Sequence, residues 1–260
     1  MLGHKLIGQG RETVIVMHDW FSDISSYDSL IPYLDVEAFR YIFVDLRGYG
    51  KSINIKGNYT VEEASQDVLE LIETLKIDSF HLIGHSMSGM IAQYIASEVP
   101  EKVHSIIAIT PVPASGSPVP QEVFEFMTTA ARDHDPSAEQ IVGMMTGNRQ
   151  AKPFIRFKVL AWRKTATPEA RVGYARMFAY TNFVNKVKGL KVPLLVLCGE
   201  YDAEGFHETL LKKAFQELYP RLTIEKIPNS GHYPMQEAPV LLSSKIYQFL
   251  TLNKSRPNPA

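Results

Sequence analysis

The charge balance and composition of this chain of 260 residues exclude several classes of partner. Lysine and arginine total 27 against 28 aspartates and glutamates, so the net charge is −1, and no basic stripe predicts binding to nucleic acid. Hydrophobic residues make up 45% of the chain, yet no apolar run approaches the roughly 18 residues of a membrane span.

The two other global features are the opening segment and the cysteine count. Residues 1–13 lack the apolar core of a signal peptide, and the single cysteine, Cys198, excludes an internal disulfide. Cys198 ends an apolar run, so we expect a buried side chain rather than a nucleophile. These features predict a cytoplasmic protein of one large domain with an insertion, without a nucleic-acid or membrane partner. They leave the oligomeric state open.

Short apolar runs alternate with amphipathic segments along most of the chain. The runs that predict strands are 13–17, 41–46, 80–84, 104–110, 193–199 and 222–228. The segments with helical spacing begin at Thr60 or span 87–98, 207–218 and 237–250. This alternation predicts an α/β fold with a mostly parallel central sheet flanked by helices. Ligands of such sheets bind beyond the carboxyl ends of the strands, so the turns after the first, third, fifth and sixth strands should share one face.

A long segment interrupts this alternation between the fourth and fifth strands. It opens with the proline-rich stretch PVPASGSPVP and continues as mainly helical sequence rich in methionine and aromatic residues. We predict a helical cap of residues 111–190 inserted into a core of residues 1–110 and 191–260. Most apolar side chains of the cap should form its own small core. We expect Met144, Met145 and Phe178 to line a cleft between the cap and the sheet.

The stretch GHSMSG, residues 84–89, places a serine between a predicted strand and a predicted helix. One interpretation is an ordinary turn in which Ser86 caps the helix. The other is a nucleophile elbow of the form G-x-S-x-G, where a strained turn exposes the serine hydroxyl. The elbow needs small residues on both sides of the serine. Gly84 meets this need, and Ser88 stands where the second glycine is usual.

A nucleophilic serine needs a base to take its proton and an acid to orient that base. His232 follows the last predicted strand on the expected ligand face, which makes it the candidate base. Asp202 lies just beyond the strand 193–199 and is the candidate acid, with Glu200 as its main competitor and Glu204 as a weaker one. The predicted catalytic residues are therefore Ser86, Asp202 and His232.

The negative charge that develops on the substrate oxygen needs preorganised N–H donors. The candidates are the backbone N–H groups of Met87, directly after the nucleophile, and of Trp20, in the turn after the first strand. Asp19 directly precedes Trp20, and a carboxylate aimed at this position would oppose the developing charge. We therefore expect Asp19 to point away, to pair with a cation or a hydrogen-bond donor, or to cap the turn. Around this site we expect Asp19, Phe21 and Tyr233 to contact substrate, together with the three cap residues.

Taken together, these residues make the chain resemble the α/β-hydrolase superfamily across nearly its full length. The motifs that carry the resemblance are HDWF, DLRGYGKS, GHSMSG and the pair GEYD and GHYP, in the nucleophile–acid–base order of that family. The second motif is structural in the family, and it is matched here by Asp45, Arg47, Gly48, Gly50 and Ser52. The stretch after residue 110 is similar to that of the cofactor-free haloperoxidase and arylesterase group.

Three features depart from the pattern of the family. Asp19 stands where glycine is usual, Ser88 replaces the second glycine of the elbow, and few residues precede the first predicted strand. These departures make the role of Asp19 an open question of the site.

The residues and the resemblance imply a serine hydrolase that acts on a carboxylic ester or a related acyl substrate of low molecular weight. No clustered pattern of ligands suggests a metal site, and no metal or cofactor is expected. The same three residues would also serve a carbon–carbon bond hydrolase, a lactonase or a lyase, because fold and triad do not fix the substrate. A ligand-sensing protein that keeps a vestigial hydrolase site is the alternative from a different class.

Overall fold

The computed structural model of the chain describes residues 1–254, so the last six residues of the predicted core lie outside the described residues. Within residues 1–254, one sheet contains seven strands. They are β1 (His4–Ile7), β2 (Glu12–Met17), β3 (Phe39–Val44), β4 (Phe80–His85), β5 (Val103–Ile109), β6 (Leu194–Gly199) and β7 (Leu222–Ile227).

The strands are ordered β1-β3-β2-β4-β5-β6-β7 across the sheet. All neighbours pair in parallel except β1, which runs antiparallel to β3 with His4 opposite Val44. The prediction of a mostly parallel sheet is therefore confirmed. The short strand β1 was not predicted, because its four residues HKLI are half-buried or exposed and lack a continuous apolar run.

The α-helices of the described residues surround this sheet in sequence order. They are α1 (Val61–Thr74), α2 (Met87–Glu98), α3 (Gln121–Ala131), α4 (Asp135–Met145), α5 (Lys152–Thr165), α6 (Pro168–Tyr180), α7 (Val184–Val187), α8 (Glu208–Phe215), α9 (Pro234–Glu237) and α10 (Pro239–Leu252). The prediction of flanking helices is confirmed. Helices α3 to α7 all lie between β5 and β6, and we call α3 to α6 the inserted helices. No helix among residues 1–254 combines the length and apolar character needed to cross a bilayer.

The helix predicted at 237–250 is instead two helices, α9 and α10. Ala238 separates them with φ −146° and ψ 53°, outside the helical region. The cause is Pro239, because the ring of a proline disfavours helical angles in the residue before it, while its fixed φ suits the first position of a new helix.

The loop after β3 connects the sheet to the inserted helices. Asp45 accepts hydrogen bonds from the backbone N–H groups of Ile24 (3.0 Å) and Lys51 (2.9 Å), and this pairing fixes the loop. The backbone N–H of Thr167, just before α6, donates to the carbonyl of Gly48 at 3.1 Å. A side chain at Gly48 would collide with the Cβ of Ala170 at 2.3 Å, and φ there is +77°. The glycine is therefore required for the close approach of α6.

The order of the strands creates a crevice at the carboxyl edge of the sheet. The chain passes from β2 to β3 on one side, and β4 then returns to the other side of β2. In open α/β sheets this reversal leaves a gap beyond the strand ends where ligands bind. The turns that follow β2 and β4 border this gap, and they carry Trp20 and Ser86.

Candidate active site

Ser86 occupies a strained turn between β4 and α2. Its backbone has φ 55° and ψ −116°, a conformation that side chains other than glycine rarely adopt. Hydrogen bonds hold it there: its N–H donates to the carbonyl of Ile109 at 2.9 Å, and its own carbonyl accepts from the N–H groups of Gly89 and Val112, each at 3.0 Å. Such a turn presents the hydroxyl at the edge of the sheet, which is the geometry of a nucleophile elbow.

Small residues make this turn possible. A Cβ on Gly84 would lie 2.3 Å from the carbonyl oxygen of Ser88, and one on Gly89 would lie 2.6 Å from the Cβ of Pro111. Ser88 does more than replace a glycine. Its hydroxyl accepts the N–H of His85 at 2.9 Å and lies 2.9 Å from the carbonyl of Met17, which ties the turn to the end of β2.

His232 and Asp202 are in direct contact beyond β6 and β7. The Nδ1 atom of His232 lies 3.0 Å and 2.8 Å from the two carboxylate oxygens of Asp202, and both side chains are buried. Burial raises the pKa of Asp202, and the adjacent His232 opposes that rise. Glu200 is turned elsewhere, because its carboxylate accepts the backbone N–H of Asn229 at 2.8 Å. With Nδ1 engaged, Nε2 is the nitrogen of His232 left to exchange a proton.

The loop that carries His232 is held from two sides. The backbone N–H of His232 donates to the carbonyl of Met145 at the end of α4, at 2.8 Å. The buried carboxylate of Glu237 accepts the N–H groups of Gly231 (3.0 Å) and Tyr233 (3.1 Å). The position of the imidazole therefore depends on both the core and the inserted helices.

His18 orients the peptide that bears the N–H of Trp20. The backbone N–H of Leu46 donates to Nε2 of His18 at 3.1 Å, so Nδ1 carries the proton and donates to the carbonyl of Asp19 at 2.7 Å. Because the peptide unit is planar and trans, the N–H of Trp20 must point in the opposite direction from that carbonyl. Among the hydrogen bonds of residues 1–254, neither this N–H nor that of Met87 has an acceptor, which leaves both available to a ligand.

Ser86 and His232 open into one cavity of about 180 Å³. The residues predicted to contact substrate all line it, namely Asp19, Phe21, Met144, Met145, Phe178 and Tyr233. Val123, Phe126 and Phe206 also line it, although they were not predicted. Val123, Phe126 and Met127 lie three or four positions apart in α3, so helical periodicity could have assigned them to one face. The cavity is apolar except near Ser86.

Asp19 is buried beside this cavity and is paired with a lysine of the inserted helices. The Nζ of Lys158, in α5, lies 3.7 Å from Oδ2 of Asp19 and 4.0 Å from the centre of the Tyr233 ring. The same Oδ2 accepts the N–H of Phe21 at 3.3 Å. Burial alone would raise the pKa of Asp19, but Lys158 and nearby histidines lower it below its ordinary value. Asp19 therefore stays ionised.

Lys158 was missed in the sequence because a lysine in an amphipathic helix is usually exposed. Lys158 is instead fully buried, and it lies four positions before Trp162, which is also fully buried. This i, i+4 spacing places the lysine on the buried face of α5 and is the signal that could have found it.

His85, next to the nucleophile, packs behind the catalytic loop. Its Nε2 donates to the carbonyl of His232 at 2.6 Å, and burial lowers its pKa to about 3. The ring is therefore neutral, with its proton on Nε2. Its Nδ1 carries a lone pair and faces Oδ1 of Asp19 at 3.9 Å.

Cys198 is fully buried in β6, and burial raises the pKa of its thiol to about 12, so the thiolate does not form near neutral pH. Within residues 1–254, no group of three or more histidine, cysteine, aspartate or glutamate side chains is arranged to hold a metal ion.

Replacing Gly84 with alanine should destabilise the protein by about 1–3 kcal/mol, because the new Cβ is forced against the backbone of Ser88. Gly205→Ala is the matched control, since a Cβ there meets nothing within 4 Å. The free energy of unfolding in urea measures both. Equal stability of the two variants would contradict this account of the turn.

The stability of the protein should fall as the pH drops below about 6.5. Burial lowers the pKa of His85 to about 3 and that of His81 to about 4, while an unfolded histidine has a pKa near 6.5. Below about pH 6.5 the unfolded chain therefore binds protons that the folded protein excludes. Each such histidine lowers the free energy of unfolding by about 1.4 kcal/mol per pH unit until its folded pKa is reached.

The variant His85→Gln, whose amide can still donate to the carbonyl of His232, should show a pH dependence shallower by about one proton between pH 4.5 and 5.5. Urea unfolding at several pH values gives this slope. A slope identical to that of the wild type would exclude His85 as a source of the effect.

Comparison with known proteins is consistent with this geometry. The chain is 24% identical over 95% of its length to the dihydrolipoyllysine-residue acetyltransferase component of the acetoin cleaving system of Pseudomonas putida, of which it spans 65%. It is 26% identical to the bifunctional esterase/perhydrolase of Acinetobacter calcoaceticus, over 71% of this chain and 72% of that protein.

Among solved structures, a thermophilic esterase from Thermogutta terrifontis superimposes with a TM-score of 0.83 at 22% identity, covering 98% of this chain and 94% of the esterase. The family model for the alpha/beta hydrolase fold matches residues 12–239. The match covers most of the chain and confirms the resemblance seen in the motifs: the protein belongs to the α/β-hydrolase family.

Proposed function

We propose that the protein is a serine hydrolase that cleaves a carboxylic ester or a related acyl substrate. The observation that carries this proposal is the opening of Ser86 and His232 into one cavity, with His232 held at 2.8 Å by Asp202. A serine on a strained turn, a histidine and an orienting carboxylate are the three groups that acyl transfer requires.

In the proposed reaction, Oγ of Ser86 attacks the substrate carbonyl while Nε2 of His232 takes its proton. The carbonyl oxygen becomes negatively charged and accepts hydrogen bonds from the N–H groups of Trp20 and Met87. His232 then returns the proton to the leaving alcohol, and an acyl-enzyme on Ser86 remains. Water, deprotonated by the same imidazole, attacks the acyl-enzyme and releases the acid. Asp202 keeps the imidazole in the productive tautomer throughout.

The cavity supports a substrate with an apolar acyl group. Its walls away from Ser86 are formed by valine, isoleucine, methionine and phenylalanine side chains, and a volume of about 180 Å³ suits a short chain or a single aromatic ring. The esterase activity in the name of the Acinetobacter relative is consistent with this substrate class.

Ser86→Ala should lower kcat/KM for p-nitrophenyl esters about a thousandfold or more, because the members of a triad act as a unit. A series of esters of increasing chain length measures this, and a fluorophosphonate probe should label the wild type and spare the variant. Labelling at another residue would overturn the assignment of the nucleophile. Repeated turnover by the wild type would separate an esterase from a ligand-sensing protein, which should release little or no product.

Asp202→Asn should lower kcat by several orders of magnitude, because the imidazole loses its orienting charge and its productive tautomer. Glu200→Gln is the matched control and should change kcat much less, since Glu200 contacts Asn229. Steady-state kinetics on a short-chain ester compares the two. A larger loss in Glu200→Gln would identify Glu200 as the acid.

A further inference from the structure

Three polar atoms without a hydrogen bond lie buried together beside the nucleophile. They are Oδ1 of Asp19, Nδ1 of His85 and Nζ of Lys158. Oδ1 lies 3.9 Å from Nδ1 of His85, and the other carboxylate oxygen lies 3.7 Å from Nζ of Lys158. All three side chains are essentially fully buried. An arrangement of this kind is costly, because buried polar groups in folded proteins are normally hydrogen-bonded.

The chemistry of the three groups shows what kind of partner is missing. The ionised carboxylate of Asp19 can only accept hydrogen bonds, and Nδ1 of the neutral His85 is also an acceptor. The two acceptors face each other, so neither can satisfy the other. Lys158 supplies charge to Asp19 but stays beyond hydrogen-bond distance. The missing partner is therefore a hydrogen-bond donor.

The position of Asp19 indicates where that donor comes from. Asp19 lines the cavity with Ser86, in walls that are otherwise mostly apolar. It also directly precedes Trp20, whose N–H is aimed at the reacting carbonyl oxygen in the proposed reaction. A donor that reaches Asp19 is therefore carried close to that carbonyl, on the neighbouring carbon of the substrate.

We propose that Asp19 binds a hydroxyl or N–H group on the carbon next to the reacting carbonyl, so that the preferred substrates are esters of 2-hydroxy or 2-amino acids with an apolar side chain. The proposal rests on the proposed hydrolase function and narrows its substrate class. Lys158 is a positioning residue that holds Asp19 ionised. Its positive charge also offsets the carboxylate, so the pair does not oppose the negative oxygen that forms beside it.

Three esters test this preference. Methyl mandelate carries the donor, methyl 2-methoxy-2-phenylacetate replaces its hydroxyl hydrogen by a methyl group, and methyl phenylacetate lacks the oxygen. The wild type should prefer methyl mandelate over both of the others by about tenfold or more in kcat/KM, because a site built around a hydrogen bond rejects analogues that cannot make it.

The double variant Asp19→Ala/Lys158→Met removes both charges together, so that no unpaired charge is left buried. Its preference for methyl mandelate over the methoxy ester should fall by about tenfold or more. A merely structural defect would slow both esters alike and leave the ratio unchanged. Lys186→Met is the matched control, because it breaks an exposed lysine–glutamate pair with Glu98 and should keep the wild-type ratio. If the double variant does not fold, Asp19→Asn keeps the shape of the side chain and should lower the ratio by about fivefold through loss of the charge.

The outcomes separate the two proposals. Hydrolysis of all three methyl esters without preference for methyl mandelate would overturn the role of Asp19 and leave the hydrolase function standing. A preference that survives in the folded double variant, or in Asp19→Asn when the double variant is unfolded, would also overturn that role. Failure of the wild type to hydrolyse any of these esters or the p-nitrophenyl esters would overturn the hydrolase function itself.

Discussion

The backbone of Ser86 is the constraint on which the rest of the site depends. A residue other than glycine with φ near 55° stores about 1–3 kcal/mol of strain, and it persists only where the surroundings fix it. Here the surroundings are the carbonyl of Ile109 on one side and the N–H groups of Gly89 and Val112 on the other. The hydroxyl of Ser88 adds a connection to β2. Neighbouring strands and the loop after β5 thus hold a single residue in an unfavourable conformation.

Charge is distributed around this turn in an uneven way. Asp19 and Asp202 are both buried near one cavity, but Lys158 lowers the pKa of the first, whereas burial raises the pKa of the second. Asp202 has the imidazole of His232 as its partner, and Asp19 has a lysine brought in by the inserted helices. The core alone would leave Asp19 uncompensated, so the inserted helices complete the electrostatics of the site as well as its walls.

Most of the fold could be predicted because buried parallel strands produce continuous apolar runs and helices produce a repeating apolar face. Helix α2 was predicted at its observed bounds, and the strands were within two residues of theirs. Strand β1 could not be predicted, since an edge strand of four half-exposed residues has no such run. The division into a core and a cap at residues 110 and 191 stays a prediction.

The candidate site divides along the same physical line. Ser86, Asp202 and His232 directly follow strand ends, and sequence order alone places them on one edge of the sheet. Lys158 reaches the site from the middle of α5 through tertiary packing, which local sequence does not encode. The tautomer of His18 likewise depends on a contact with Leu46, 28 residues away. Residues placed by topology were therefore predictable, and residues placed by packing were not.

The hydrogen bond between His232 and the carbonyl of Met145 has a consequence for how molecules reach the nucleophile. Because the end of α4 and the catalytic loop share this bond, a swing of the inserted helices away from the sheet would displace the imidazole. The gate must then be smaller than a whole helix. Met144 and Val123 line the cavity and are each 42% exposed, so they form its rim. A methionine has three rotatable bonds and changes rotamer within nanoseconds when exposed, so passage is governed by the width of the molecule rather than by a slow hinge.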